Sequence, residues 1–415
     1  MRAGVEYALA RAVVAVENRL LGWLARAGFR RRPGTPQRIL VFRSSAIGDF
    51  ICALPALARL RRRLPQSRIV LLTTPTGNPR YWNQMPEAGG RLLAGRDLVD
   101  DVIFFYAHEL KRPRQFLELR RRVKAVAPDM AYLLPFSGEP FLNRLKKIVF
   151  LRLLGVRWNL NGYDMRSSLG LFRRAQFLRG DFPHQVVSAL QAVDGRESLA
   201  APDVVFALDT PFAAVRRVDE LWAQRGLDGS GPVVVLSPGA RFLHKRWPLE
   251  NFAVLAERLL AKFPVSLVII GGREDRELGA ALAAAKPARV HNLAGDTALP
   301  ETAEVLRRGC LFIGNDSGAA HLAAAVGIPC VTLFSGVTFP GLWEPWGERN
   351  LALRHRVPCE FCFSEGHCPT GTMECIRGIS VERVLAAARG FLGPVLAAPA
   401  GVGEITAGKS GSRGV

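Results

Sequence analysis

Short apolar runs alternate along the chain with longer stretches in which apolar residues recur every three or four positions. In the second half, the apolar runs are residues 233–236, 266–270, 311–313 and 330–334. Residues 249–262 and 319–326, which lie between these runs, have the spacing of amphipathic or compact helices. Such alternation is typical of parallel strands joined by crossover helices, so it predicts an α/β layer from Pro232 to about Leu392.

The first half repeats this plan. Apolar runs at 38–42, 68–73, 102–106 and 130–134 predict strands, and residues 51–64 and 114–126 predict helices between them. The sequence therefore predicts an α/β protein with two Rossmann-like domains facing each other across a cleft. The expected boundaries are a basic amphipathic extension at 1–35, an N-terminal acceptor domain at 36–215, a C-terminal nucleotide-sugar domain at 216–395 and a disordered tail at 396–415.

Polar turns follow three of the predicted strands. They contain Gly48-Asp49, then Ser237-Pro238-Gly239 with the basic cluster at 244–248, then Asn315-Asp316-Ser317-Gly318. In open α/β sheets ligands bind beyond the carboxyl ends of the strands, and a helix that begins beside glycines offers free N–H groups to a phosphate. The alternative for the last turn is an ordinary strand-to-helix connection in which Asp316 caps the helix.

These motifs, together with Lys245-Arg246-Trp247-Pro248 and His321, resemble those of glycosyltransferase family 9, the ADP-heptose:lipopolysaccharide heptosyltransferases. Their order and spacing match over roughly residues 38–392. The resemblance implies a GT-B fold and inverting, metal-independent transfer of a heptose-type sugar. The implied donor is a nucleotide diphosphate sugar, ADP-heptose, and the implied acceptor is a lipopolysaccharide core or similar glycolipid.

Glycosyl transfer of this kind needs a base for the acceptor hydroxyl and positive charge or amide donors for the leaving diphosphate. The resemblance gives the first role to Asp49 and the second to Lys245. The other expected donor-site residues are Ser237, Gly239, Arg246, Glu274, Asp316, Ser317, Gly318 and His321. Structural alternatives remain for several of them: a helix cap for Asp49, a solvated basic loop for Lys245 and Arg246, a surface charge for Glu274, and a packed core residue for His321.

The charge of the chain points to anionic partners. Its 415 residues contain 56 Lys and Arg against 36 Asp and Glu, a formal net charge of +20, with basic clusters at 59–63, 111–114, 120–124 and 144–147. Nucleic acid is not expected, because no helix-turn-helix, RRM or zinc-finger signature accompanies the charge. A lipid-linked anionic acceptor at the inner-membrane surface explains the bias, and a GC-rich genome would also raise the arginine content.

The N-terminal stretch 5–29 predicts a basic amphipathic helix. Its apolar residues recur at helical spacing between arginines, so it lies either in a membrane interface or packed on the domain surface. The sequence has no run of about 18 uncharged apolar residues that would span a membrane. The expected location is cytoplasmic, peripheral on the cytoplasmic face of the inner membrane.

Four of the seven cysteines cluster as Cys359, Cys362, Cys368 and Cys375. Their spacing predicts a structural zinc or iron–sulfur site, or reduced or redox-paired thiols, and no cofactor is expected for catalysis. Cys52, Cys310 and Cys330 lie on predicted core elements and are expected to be buried small hydrophobes.

Two other functions fit the same motifs less fully. A GT-B-like sugar-nucleotide epimerase would turn over the donor alone and need no lipid. A non-catalytic protein that binds anionic glycolipid through its basic face would have no nucleotide affinity and would tolerate changes at Asp49.

Overall fold

The framework of this computed structural model is a pair of parallel β-sheets, one from each half of the chain. The structure describes residues 2–29, 34–44, 46–74, 98–163, 176, 182–195, 204–228, 231–284, 286–362 and 367–397. The strands of the first sheet are β1 (Arg38–Arg43), β2 (Arg68–Thr73), β3 (Asp101–Phe104), β4 (Met130–Leu133) and β5 (Leu160–Asn161). They pair in the order β3-β2-β1-β4-β5, and each pair is parallel.

The second sheet lies wholly in the C-terminal half. Its strands are β6 (Val233–Ser237), β7 (Ser266–Ile269), β8 (Val290–Asn292), β9 (Leu311–Asn315), β10 (Cys330–Phe334) and β11 (Asn350–Arg354). They pair in the order β11-β10-β9-β6-β7-β8, again in parallel. The prediction of two Rossmann-like α/β domains is confirmed, although the short edge strands β5, β8 and β11 were not predicted.

Helices cover both faces of the sheets. They are α1 (Arg2–Gly28), α2 (Ile47–Ile51), α3 (Leu54–Arg63), α4 (Pro113–Val126), α5 (Phe141–Leu153), α6 (Gln185–Asp194), α7 (Phe212–Gln224), α8 (Leu249–Lys262), α9 (Arg276–Ala284), α10 (Leu299–Arg308), α11 (Gly318–Val326), α12 (Glu374–Arg377) and α13 (Val381–Ala397). The helix predicted at 51–64 is broken into α2 and α3, and Pro55 lies in the first turn of α3, where its missing N–H costs no helical hydrogen bond. Helix α13 extends into the predicted tail, and residues 398–415 lie outside the described residues.

The two halves meet where α2 and α11 begin. A Cβ atom placed on Gly48 of α2 would lie 2.6 Å from Cδ2 of His321 in α11. A Cβ atom on Gly318 would lie 3.2 Å from Cβ of Ile47. One apolar core accordingly includes residues from both halves, such as Phe50 and Leu322. The glycines permit a backbone approach that larger residues would block.

Replacement of Gly48 by alanine should lower the free energy of unfolding by about 1–3 kcal/mol, because the added methyl group overpacks the buried contact with His321. Gly390→Ala in α13 is the matched control, since nothing lies within 4 Å of its Cβ position. That control should be neutral or stabilising, because alanine is the better helix former. Urea unfolding of both variants tests the difference, and equal effects would contradict the close approach of α2 to α11.

Candidate active site

Each sheet has one point at which the strand order reverses direction. In the first sheet it lies between β1 and β4, and in the second between β6 and β9. Ligands of open α/β sheets bind beyond the carboxyl ends of the strands at such points. The ends of these four strands and the segments that leave them carry Asp49, Phe136, Ser237 and Asp316. The contact between α2 and α11 shows that the two reversal points face each other, so the candidate site lies between them.

Asp49 is the third residue of α2, on the N-terminal side of the cleft. Its Oδ2 atom accepts a hydrogen bond from the backbone N of Ala46 at 3.0 Å, so it does cap its helix. Burial raises the pKa of the Asp49 carboxyl above its ordinary value, and the positive charges of Arg43, Lys245 and Arg241 offset this only in part. A carboxyl group with a raised pKa is suited to accept a proton, so the capping and catalytic roles are compatible.

Arg43 links the two segments that leave β1 and β4. Its side chain is buried, and Nη2 donates to the backbone O of Asp49 at 2.9 Å. Nη1 donates to the carbonyl oxygens of Leu134 at 3.1 Å and Pro135 at 2.7 Å, and the guanidinium lies 4.1 Å from the ring centroid of Phe136. Arg43 therefore fixes the position of Asp49. Arg43 is not among the residues predicted for the site, although a charged residue directly after the apolar run 39–42 was a usable signal.

Lys245 and Asp316 form an ion pair on the other side of the cleft. Lys245 Nζ lies 2.6 Å from Asp316 Oδ2, and the two side chains are 19 % and 8 % exposed. The pair brings a cation next to the start of α11. The capping role considered for Asp316 is wrong, because Ser317 occupies the N-cap position of α11 and Asp316 lies before it.

Asn315 holds this side of the site together. Its Oδ1 atom accepts from the backbone N of Trp247 at 3.0 Å, and its Nδ2 donates to the backbone O of Pro238 at 2.7 Å. The Trp247 indole donates to the backbone O of Ile379 at 2.8 Å. Asn315 is fully buried. The end of β9, the segment after β6 and the loop of Lys245 are thus joined through one amide, a structural role that the motif did not reveal.

The start of α11 presents a hydroxyl group and backbone N–H groups. Ser317 Oγ is shielded from solvent and makes no hydrogen bond within the described part of the chain. Gly318 is the first residue of α11, and the N–H groups of the first helical turn point out of the helix. His321, one turn further on, is buried, and burial lowers its pKa to about 4, so it is neutral at physiological pH. Its Nδ1 atom lies 3.5 Å from Cys52 Sγ, a packed position in the seam between the halves.

The remaining expected donor residues surround the end of β6. Ser237 is buried there, and a Cβ atom on Gly239 would lie 2.3 Å from the Asp275 carboxyl, so only glycine fits. Arg246 Nη2 lies 4.0 Å from Asp275 Oδ1. Burial raises the pKa of Asp275, whereas its neighbour Glu274 is exposed. The structure therefore brings Asp275 rather than Glu274 up to Gly239 and Arg246.

Comparison with known proteins identifies the family. A family model described as glycosyltransferase family 9 (heptosyltransferase) matches residues 141–371, more than half of the chain. Lipopolysaccharide heptosyltransferase 3 of Escherichia coli is 31 % identical over 318 residues, which cover 73 % of this chain and 85 % of that protein. The chain belongs to glycosyltransferase family 9.

Two further comparisons agree with this family. The glycosyltransferase is 28 % identical over 363 residues to lipopolysaccharide heptosyltransferase 2 of Salmonella typhimurium, covering 84 % of this chain and 96 % of that protein. The structure of E. coli ADP-heptose lps heptosyltransferase II superimposes with a TM-score of 0.60 at 21 % identity, covering 87 % of this chain and all of that one. The GT-B fold and the family implied by the motifs are thereby confirmed.

The described residues of the cysteine-rich segment give no support for a metal site in the glycosyltransferase. All four cysteines are free, and the pKa of the Cys375 thiol is raised by burial and by the neighbouring thiols of Cys359, Cys368 and Cys362. The thiols therefore lie in one region. Among the residues that the structure describes, however, no group of three or more His, Cys, Asp or Glu side chains could hold a metal ion. The predicted zinc or iron–sulfur site has no support from this arrangement.

Two of the three isolated cysteines are buried, as expected for core residues. Cys52 and Cys330 are buried, and burial raises the pKa of both thiols, whereas Cys310 is half-buried with a pKa of about 11. Thiols with raised pKa values are poor nucleophiles at neutral pH. They therefore add nothing to the candidate chemistry.

Proposed function

We propose that this glycosyltransferase transfers heptose, with inversion, from ADP-heptose to a lipopolysaccharide core or a similar glycolipid. The observation that carries the proposal is the placement of Asp49 opposite the Lys245–Asp316 pair, at the facing reversal points of the two sheets. Sequence relatives are named as lipopolysaccharide heptosyltransferases, and one relative of known structure is named as an ADP-heptose enzyme. A base on one side of the cleft and a cation on the other match the two needs of the reaction.

The donor side stabilises the departing diphosphate. As the bond between the anomeric carbon and the phosphate oxygen breaks, negative charge develops on that oxygen. Lys245 supplies a cation whose position is fixed at 2.6 Å from Asp316, and the amides at the start of α11 add oriented dipoles. Arg246 and the unpartnered Ser317 Oγ are the further donors at this end of the site. Asp316 accepts a hydrogen bond from Lys245 and retains an oxygen for a sugar hydroxyl.

The acceptor side activates the hydroxyl. Asp49 takes its proton as the acceptor oxygen attacks the anomeric carbon from the face opposite the diphosphate. The new carbon–oxygen bond forms as the old one breaks, the electron pair leaves with ADP, and the configuration inverts. Closure of the cleft around the donor would exclude water, the competing nucleophile.

The acceptor proposed for this site is anionic and linked to lipid, and no nucleic-acid partner is proposed. Beside Phe136, the buried carboxylate of Glu139 contacts Lys147, and its Oε2 atom lies 3.8 Å from Nε of Arg144. With the guanidinium of Arg43 also against the Phe136 ring, cations outnumber carboxylates at the end of β4. This local excess favours an acceptor that carries carboxylate or phosphate groups at the cytoplasmic surface of the inner membrane.

Nucleotide selectivity and acceptor dependence test the proposal together. ADP at one hundred times its Kd should stabilise the protein by about 2.7 kcal/mol, more than UDP, GDP or CDP at the same concentration. With ADP-heptose present, ADP release should require a heptose-deficient lipopolysaccharide acceptor. The measurements are thermal melts and coupled ADP detection. Donor turnover without acceptor would favour an epimerase, and absence of any nucleotide response would favour a glycolipid-binding protein.

A further inference from the structure

Helix α1 has two apolar faces, and the described part of the chain covers one of them. Ala10, Val14, Leu21 and Ala25 are buried, and Val14 and Leu21 join the core that lies between the first sheet and its helices. A second set of apolar residues is between 43 and 62 % exposed: Val5, Leu9, Val13, Val16, Leu20 and Trp23. These residues follow one another at intervals of three or four, so they form one stripe, roughly 27 Å long at the rise of an α-helix. We call this set the α1 stripe.

Helix α5 lies beside the end of α1 and also has exposed apolar residues. Its exposed residues Leu142, Lys146, Val149 and Leu153 share one face by their spacing. A Cβ atom on Gly28, the last residue of α1, would lie 3.8 Å from the side chain of Arg152 in α5. The sequence of α5 contains four basic residues and no acidic residue.

Near the α1 stripe, the positively charged side chains are more exposed than the negatively charged ones. Arg19 and Arg26 of α1 are exposed, together with Lys146 and Arg152 of α5. The glutamates of α1, Glu6 and Glu17, are half-buried, and burial raises the pKa of Glu17. The outward surface is thus apolar and cationic.

We propose that the α1 stripe and the exposed face of α5 dock this glycosyltransferase on an anionic lipid bilayer. Surface helices of soluble proteins rarely leave such a long apolar stripe uncovered. In an interface, the aliphatic side chains enter the boundary of the acyl chains, Trp23 lies at the level of the head groups, and the cations contact lipid phosphates. No described helix is long and apolar enough to cross a membrane, so α1 lies along the surface.

The role of this docking surface rests on the proposed function. Docking through the acceptor-side domain would bring Asp49 close to a lipid-linked acceptor. Helix α1 lies before the matched family segment, which begins at residue 141. The α1 stripe therefore lies outside the matched segment, whereas α5 lies within it. The two positions considered for the helix, packed on the domain or lying in an interface, are also compatible, because each uses a different face.

Vesicle co-sedimentation of the full chain tests the docking surface. The wild-type protein should sediment with vesicles of phosphatidylcholine and phosphatidylglycerol in equal amounts, and much less with phosphatidylcholine alone. Leu9→Glu combined with Trp23→Glu should reduce the partition coefficient by about tenfold or more, because two apolar contacts are replaced by charges that anionic lipid repels. Phe212→Glu in α7 is the matched control, since Phe212 is 76 % exposed on another surface, and it should bind like the wild type.

Three outcomes would overturn the docking surface. The first is that the wild-type protein stays in the supernatant with anionic vesicles. The second is that the double variant sediments as much as the wild type. The third is that the wild type and Phe212→Glu form a dimer in the absence of lipid and the double variant does not. The last result would show that a second copy covers the α1 stripe. Thermal stabilisation by ADP, measured on the same samples, separates the two proposals. If ADP stabilises the protein but the protein does not bind vesicles, only the docking surface fails. If the protein binds vesicles but ADP does not stabilise it, only the proposed function fails.

Discussion

Replacement of Lys245 by alanine is expected to lower kcat by about 10²–10³-fold, the loss typical of removing one preorganised donor from a developing negative charge. Lys245 Nζ lies 2.6 Å from Asp316 Oδ2 at the start of α11, where the diphosphate is proposed to bind. In the variant, the carboxylate of Asp316 remains without its cation and would repel the diphosphate, so ADP affinity should fall as well. Steady-state kinetics with ADP-heptose and calorimetric titration with ADP measure the two effects.

Lys262→Ala is the matched control for this prediction. Lys262 is an exposed lysine in the last turn of α8, at the opposite end of that helix from the loop of Lys245, and its removal should leave kcat and ADP affinity unchanged. Lys245→Arg keeps the charge but changes its geometry, because a planar guanidinium replaces a compact ammonium. It should recover part of the lost turnover. Full activity in Lys245→Ala, with circular dichroism showing a folded protein, would remove the Lys245–Asp316 pair from the donor site.

Local signals in the sequence were enough to predict most of the central strands and the turns that leave them. A buried parallel strand is a short apolar run, and the turns after β1, β6 and β9 carry glycine and polar residues, so both features can be read from a few consecutive residues. The edge strand β11, which is only partly buried, lacks this signal because an edge strand has a neighbour on one side only. The break between α2 and α3 was missed because the apolar spacing continues through it.

The contacts that assemble the candidate site could not be predicted in the same way, because they depend on which strands are neighbours. Arg43 appears in the sequence as a charge at the end of a strand, and it is buried only because β4 lies beside β1 and presents the carbonyl oxygens of Leu134 and Pro135. Asn315 reaches Pro238 only because β9 lies beside β6. Each pair is far apart in sequence, and no local pattern records it.

The spacing of chemistry-bearing residues was an incomplete guide for the same reason. Glu274 and Asp275 are adjacent in sequence, yet only Asp275 turns inward, where its carboxyl contacts the backbone N of Gly272 at 3.0 Å. The four clustered cysteines have the spacing of a metal site, but the described residues do not arrange their thiols as ligands. Spacing limits what a segment can do, and the conformation of the loop decides which of those possibilities is realised.

Asp49→Asn is the second substitution for which a large effect is expected. It should lower acceptor-dependent turnover by about 10²–10⁴-fold, because an amide cannot take the acceptor proton. The amide oxygen can still accept from the backbone N of Ala46, so the start of α2 should be preserved. Donor affinity should therefore stay close to that of the wild type. The measurements are kcat with saturating acceptor and the Kd for ADP, and Asp228→Asn, at an exposed aspartate, is the matched control.

The pH dependence follows from the direction of the pKa shift. Burial raises the pKa of Asp49 above the ordinary value of 3.8, and the base acts only when it is deprotonated. Wild-type kcat/KM should consequently fall as the pH decreases through this raised pKa, at a higher pH than an ordinary aspartate would require. Asp49→Asn should remove that limb from the residual activity. If the variant keeps both wild-type turnover and the acid limb, another group is the base.

Stability should change in the opposite sense to activity. Because the pKa of Asp49 is higher in the folded than in the unfolded state, its charged form costs folding free energy above the raised pKa. This cost decreases as the pH falls below the raised pKa and is lost once the pH is below the ordinary value of 3.8. Asp49→Asn removes the buried charge, so the variant should be at least as stable as the wild type at neutral pH, with a difference that shrinks on acidification. Urea unfolding at several pH values measures this difference in stability.

A variant that is inactive and clearly less stable at neutral pH would instead show that Asp49 stabilises α2 and that its carboxylate does not act as the base. Lost turnover with retained or improved stability is the combination expected of a catalytic carboxylate placed where the fold does not favour its charge.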